Sequence, residues 1–132
     1  MDNREVLVDT SIIIDHLRKK IKSQSILYSL VKSYTLYLST ISLFELYAGA
    51  NTARKMSDIE NILVAFDTLL FSDSIARKSA EIYLSLKKEN KLMEIRDLFI
   101  AATAIVYEMP IITLNKKHFE RIQNLEILDI DS

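Results

Sequence analysis

Three carboxylates stand in or beside segments that otherwise want to be buried: Asp9 in "VLVDTS", Glu45 in "ISLFELYAGA" and Asp97 in "EIRDLFIAATA". Burying an unpaired carboxylate is costly, so each needs a hydrogen-bond donor, a cation or water. Two of them have an ordinary structural use. Ser42 to Glu45 spells S-x-x-E, the capping box in which the glutamate bonds back to a helix N-terminus. Asp97 suits the cap or first turn of a helix, where the dipole favours an acid. Asp9 is not needed for that work, because Thr10 or Ser11 directly after it can serve as the cap. Brought together, the three acids repel one another, and the arrangement persists only if a hard cation neutralises it. Oxygen ligands without clustered His or Cys point to magnesium or manganese, ions that keep several waters and share their remaining positions with phosphate oxygens.

Other residues fit around such a centre. Thr10 and Ser11 can donate to a phosphate or to a metal-bound water, with helix capping as the alternative for one of them. In "PIITLNKKHFERI" a strand ends at Thr113, and Asn115 precedes a short basic helix that it can cap. Lys116, Lys117, His118 and Arg121 cluster there, and Arg96 adjoins Asp97. Basic groups beside an acidic centre suit a nucleic-acid backbone crossing a metal site, while a solvated helix face explains the lysines as well. Thr10, Ser11, Arg96, Thr113 and Lys116 are therefore the candidate substrate-binding residues. Asp15 and His16 are expected on the outer face of the first helix.

Positioning these groups falls to short strands alternating with longer helical stretches. The pattern predicts strands over 5–8, 36–39, 68–71, 110–113 and 126–128, and helices over 11–18, 25–32, 42–50, 53–66, 74–89 and 96–108. Strands separated by helices imply parallel crossovers and a sheet covered on both faces, in which ligands bind beyond the carboxyl ends of the strands. Asp9 stands at one such end. With 132 residues and no linker or repeat, the chain is expected to form a single domain over residues 1–132.

Composition excludes several classes. The only glycine is Gly49, so neither a P-loop nor a dinucleotide fingerprint is present. There is no cysteine, hence no disulfide or thiolate metal site. The net charge of -1 means that any polyanion is met locally rather than by the whole surface. No apolar run approaches the ~18 residues of a membrane span, and the expectation is a soluble, cytoplasmic protein. At 49% hydrophobic, the chain has apolar residues to spare for a partner surface.

Taken in order, "VLVDTS", "ISLFELYAG", "RDLFIAATA" and "ITLNKKHFERI" resemble the PIN-domain ribonucleases, specifically the VapC-like toxins of toxin-antitoxin pairs. The resemblance covers nearly the whole chain. It implies an α/β fold, a three-layer α/β/α sandwich with a mostly parallel sheet of about five strands. It also implies a metal-dependent endoribonuclease using Mg2+ or Mn2+, bound by Asp9, Glu45 and Asp97. Its partners would be an RNA substrate, a cognate antitoxin and a second copy of the chain, with no membrane involved. Hydrolysis by a metal-activated water would leave a 5'-phosphate end. Relatives often carry a fourth acid near the penultimate strand; here Asn115 and His118 stand in that block, and Glu94 is a candidate substitute. The alternative is a catalytically silent PIN-like domain that serves as a binding scaffold.

Overall fold

The structure is a computed structural model that describes residues 4–130. Its centre is strand β1 (Arg4–Val8), in which Val6, Leu7 and Val8 are all fully buried. A continuous apolar run of this kind is required when both faces of a parallel strand are covered. β1 pairs in parallel with β2 (Tyr34–Ser39) on one side and β4 (Ile111–Ile112) on the other, and β3 (Phe66–Leu69) pairs in parallel with β2. The sheet order is β3-β2-β1-β4.

Among the described residues, six α-helices link and cover the strands: α1 (Thr10–Arg18), α2 (Ile26–Leu30), α3 (Thr40–Gly49), α4 (Ala53–Leu63), α5 (Asp73–Lys88) and α6 (Ile95–Val106). Alternation along the strands divides the core in two. Val6, Val8, Leu36, Leu38 and Ile112 pack against Ile12, Ile13, Leu27, Leu46 and Ile59 from α1 to α4. On the opposite face, Leu7 and Ile111 pack against Ile100, Ala101 and Ala104 of α6 and against Phe119 and Ile122. The alanines let α6 approach the sheet closely.

This distribution fixes where a ligand can bind. From β1 the chain steps outward to β2 and β3 with its helices on one face, then returns over the other face to set β4 on the far side of β1. The helix that follows β1 (α1) and the helix that leads into β4 (α6) lie on opposite faces, and their first turns flank a crevice at the carboxyl ends of these two strands. The end of β1 is tied to β4 by the Asp9 amide, which donates to the Ile112 carbonyl at 2.9 Å.

Among the described residues, four strands form where five were expected. Residues 126–128 contribute a single parallel bridge, Ile111 to Ile127, flanked by bonds of 2.9 Å from the Ile111 amide to the Glu126 carbonyl and from the Leu128 amide to the Ile111 carbonyl. With β4 only two residues long, there is no further edge to pair with. β3 also begins two residues earlier than expected, because Phe66, rather than ending α4, packs into the first core. Among the described residues no helix is long and apolar enough to cross a membrane.

Candidate active site

Asp9 follows β1 and occupies the N-cap position of α1, yet its side chain makes no capping bond. It is 1% exposed. Its Oδ2 accepts from Ser11 Oγ at 2.9 Å and from Thr113 Oγ1 at 2.7 Å. Both hydroxyls are themselves held by backbone: the Leu114 amide donates to Ser11 Oγ at 3.0 Å and the Asn115 amide to Thr113 Oγ1 at 2.9 Å. The carboxylate is thus fixed through one oxygen, and the other, Oδ1, faces the crevice centre and Arg96.

Glu45 does not form the capping box. The extended Ser39 at the end of β2 is the true N-cap of α3, its Oγ accepting from the Ser42 amide at 3.1 Å. With the helix beginning at Thr40, Glu45 lies beyond the first turn and is free to reach α1, where Thr10 Oγ1 donates to its Oε1 at 2.8 Å. Asp97 lies in the first turn of α6 and is buried; the N-cap there is Glu94, whose exposed side chain makes no capping bond. Asn115 likewise precedes the short 3-10 turn Lys116–His118 without a side-chain cap.

The three acids converge on one group, the guanidinium of Arg96. Its Nη2 donates to Asp9 Oδ1 at 2.5 Å, its Nη1 to Asp97 Oδ1 at 2.9 Å and its Nε to Glu45 Oε2 at 2.9 Å. Nη2 also reaches Glu45 Oε1 at 2.9 Å and Thr10 Oγ1 at 3.0 Å. Partial burial alone would lower the Arg96 pKa; the hydrogen bond to Glu45 and the charges and hydrogen bonds of Asp9 and Asp97 outweigh it, so the pKa is raised above its ordinary value. The cation that holds the acids together in this structure is supplied by the chain. Where the expectation was a bound ion, the structure has Arg96 inside the acid cluster.

Three carboxylates against one guanidinium leave a net negative centre, and every donor is an oxygen, the chemistry that suits a hard divalent ion. Among the described residues, no three His, Asp or Glu side chains stand close enough, as arranged, to grip one ion. The planar guanidinium sits between their oxygens and spaces them around three separate N–H donors. The donor set fits such an ion in kind, while its present spacing is the one Arg96 sets.

A cleft of about 560 Å3 opens over this centre, lined among others by Thr10, Ser11, Glu94, Arg96, Asn115 and His118. His118 Nδ1 lies 3.3 Å from Asp97 Oδ2. The remaining basic residues have separate engagements. Lys116 pairs with Asp129, and Arg121 Nη1 donates to the Leu92 carbonyl at 3.0 Å, whereas Lys117 is exposed beside His118 in an adjoining hollow. Asp15 and His16 are not on an outer face. Asp15 Oδ2 accepts from the Ile26 amide at 3.2 Å and His16 Nδ1 lies 2.6 Å from Ser25 Oγ, so both pin the start of α2.

The sequence profile of the PIN domain family matches residues 6–125. A relative from Rickettsia bellii, "Ribonuclease VapC", is 37% identical over 95% of this chain and 96% of its own length. The fold superposes on a chain of the crystal structure of VapBC2 from Rickettsia felis bound to a promoter DNA fragment, with a TM-score of 0.85 and 26% identity over 96% of this chain and 99% of that one. It also superposes on a chain of a toxin-antitoxin complex from Klebsiella pneumoniae, with a TM-score of 0.73 and 25% identity over 96% and 98% of the two chains. With the profile spanning nearly all of the sheet and the acid-bearing segments, the chain belongs to the PIN domain family.

Proposed function

We propose that this protein is a divalent-cation-dependent endoribonuclease that acts in the cytoplasm as the toxin of a toxin-antitoxin pair. The observation that carries the reading is the convergence of Asp9, Glu45 and Asp97 around the Arg96 guanidinium in an open cleft. The relative named as a ribonuclease and the neighbour described as a toxin-antitoxin complex support the substrate class and the partner.

Asp9, Asp97 and Glu45 are the residues that would hold Mg2+ or Mn2+. Such an ion, when bound, supplies an activated water and offsets charge that grows on the phosphoryl oxygens. Ser11 and Thr113 keep Asp9 turned so that one oxygen always faces the centre. Glu45, whose side chain is 31% exposed, is the acid best placed to orient the attacking water and take its proton. Water attacks phosphorus, the bond to the ribose 3'-oxygen breaks, that oxygen takes a proton, and a 5'-phosphate end remains. Asn115, His118 and Lys117, along the cleft and its rim, would meet the sugar-phosphate backbone, while Thr10, 6% exposed, holds Glu45.

Phe44 (70% exposed), Leu70 (70%) and Ile95 (64%) are large apolar side chains left in water, the kind of residue that a second copy of the chain would cover. Light scattering at micromolar concentration tests this; a monomer would leave that surface to the antitoxin.

A second reading, a silent binding scaffold, is favoured by Arg96 filling the acid cluster and by Asn115 standing where the resemblance leads to the expectation of a fourth acid. Cleavage separates the two. Wild-type protein at stoichiometric concentration should cut a structured RNA with Mn2+ or Mg2+ and not with EDTA, and Asp97→Asn should not cut. Equal cleavage by wild type and Asp97→Asn, or none by either, overturns the nuclease.

A further inference from the structure

We propose that Arg96 competes with the divalent ion for Asp9, Glu45 and Asp97, and that ion binding expels its guanidinium from the acid cluster toward the substrate phosphate. The inference rests on those three acids being the ion's ligands and adds a positioning role for a fourth residue.

Each face of the guanidinium fork is used: Nη2 for Asp9, Nη1 for Asp97 and Nε for Glu45, at 2.5 to 2.9 Å. These are the oxygens that a magnesium or manganese ion would need at about 2.1 Å. An ion at that point and a guanidinium within hydrogen-bond distance of the same oxygens would be like charges in near contact. Arginine cannot leave by losing its proton, so it must leave by moving. The path exists: Arg96 starts from the first turn of α6, keeps 22% of its side chain exposed, and lines a cleft open to solvent.

Two consequences follow. In the metal-free site Arg96 offsets part of the repulsion among the three acids. The apparent affinity for the ion is lowered, because only the fraction of molecules with Arg96 displaced can take it. Once displaced, the side chain remains tethered next to Asp97, within reach of a phosphate at the cleft mouth, a group for which its planar fork is well suited.

The test is Mn2+ binding, followed by calorimetry or by the spin-resonance signal of free Mn2+, to wild type, Arg96→Gln, Arg96→Lys and Asp97→Asn. Arg96→Gln should bind Mn2+ about tenfold more tightly than wild type, and Arg96→Lys should lie between them because it keeps the charge but loses the fork. Equal or weaker binding by Arg96→Gln, with wild-type binding intact and Asp97→Asn binding lost, overturns the competition and leaves the nuclease reading standing. No binding by any protein overturns both. Should Arg96→Gln fail to fold, the Nε–H resonance of Arg96 in the wild type, identified by its loss in Arg96→Lys, gives a second readout. It should shift and lose its protection when Mg2+ is added, and an unchanged signal overturns the proposal.

Discussion

Arg96 Nη2 and Asp9 Oδ1 meet at 2.5 Å although 87 residues separate them in the chain. One stands at the end of the central strand and the other in the first turn of the helix that returns across the opposite face, so the contact spans the crevice that the sheet order creates. It joins a fully charged guanidinium to a carboxylate with 1% exposure, the kind of pair whose halves depend on each other.

Because Asp9 is compensated in this way, its neutralisation should weaken the metal-free protein. Asp9→Asn exchanges charge-assisted bonds for weaker ones and should cost about 1–3 kcal/mol in urea unfolding with EDTA present. Glu45, which is more exposed, should tolerate Glu45→Gln within about 1 kcal/mol. Equal loss in both variants would mean that burial does not decide the energetics of the cluster.

Thr113 is fully buried and links Asp9 to the backbone of the next segment. Thr113→Val keeps the shape but removes both bonds. RNA cleavage should fall by about 10- to 100-fold, as for other groups that orient a metal-ligating side chain. Stability should drop by about 1–3 kcal/mol, since the Asn115 amide and an Asp9 oxygen each lose a partner. Unimpaired cleavage at matched folding would show that Asp9 needs no such support.

These relationships were not equally readable in the sequence. Hydrophobic periodicity located the helices to within a few residues and the strands nearly as well, because a sheet covered on both faces forces continuous apolar runs such as Val6 to Val8. The acids were legible because Asp9 interrupts such a run and Asp97 opens an apolar helix. Glu45 looked like half of a capping box because a sequence cannot say that the helix already starts at Thr40 with Ser39 as its cap. The role of Arg96 was hidden for a related reason. Its neighbour Asp97 is one residue away, but Asp9 and Glu45 come to it only through the tertiary fold, and an arginine beside an acid reads first as a phosphate ligand. The lost fifth strand reflects a two-residue β4, a length that apolar pattern alone overestimates.

Burial holds the His16 imidazole below its ordinary pKa, helped by the charge of Lys22 and opposed by Asp15. A histidine with a lowered folded-state pKa binds its proton more readily when unfolded. Its contribution to stability is therefore complete above about pH 6.5 and is lost as the pH falls through the lower folded value. Chemical denaturation between pH 7.5 and pH 5 should show a steeper loss for wild type than for His16→Gln. Parallel profiles would remove His16 as a source of the pH dependence.

Lys117 is exposed and Lys116 is paired with Asp129. In RNA binding by the non-cleaving Asp97→Asn protein, adding Lys117→Ala should reduce the slope of log affinity against log salt by about 0.7, the value for one single-strand phosphate contact. Adding Lys116→Ala should change it less. Anisotropy measurements at four or more salt concentrations check this, and a larger effect from Lys116 would redirect the backbone path past Asp129.

The most direct measurement is anomalous diffraction from crystals of the wild-type protein soaked in manganese. The account predicts a Mn2+ peak within about 2.2 Å of an oxygen of Asp9 and of Asp97, with Glu45 ligating it directly or through a water and Arg96 displaced from all three carboxylates. No peak between these residues at saturating manganese, with Arg96 still bonded to Asp9, Glu45 and Asp97, would contradict it.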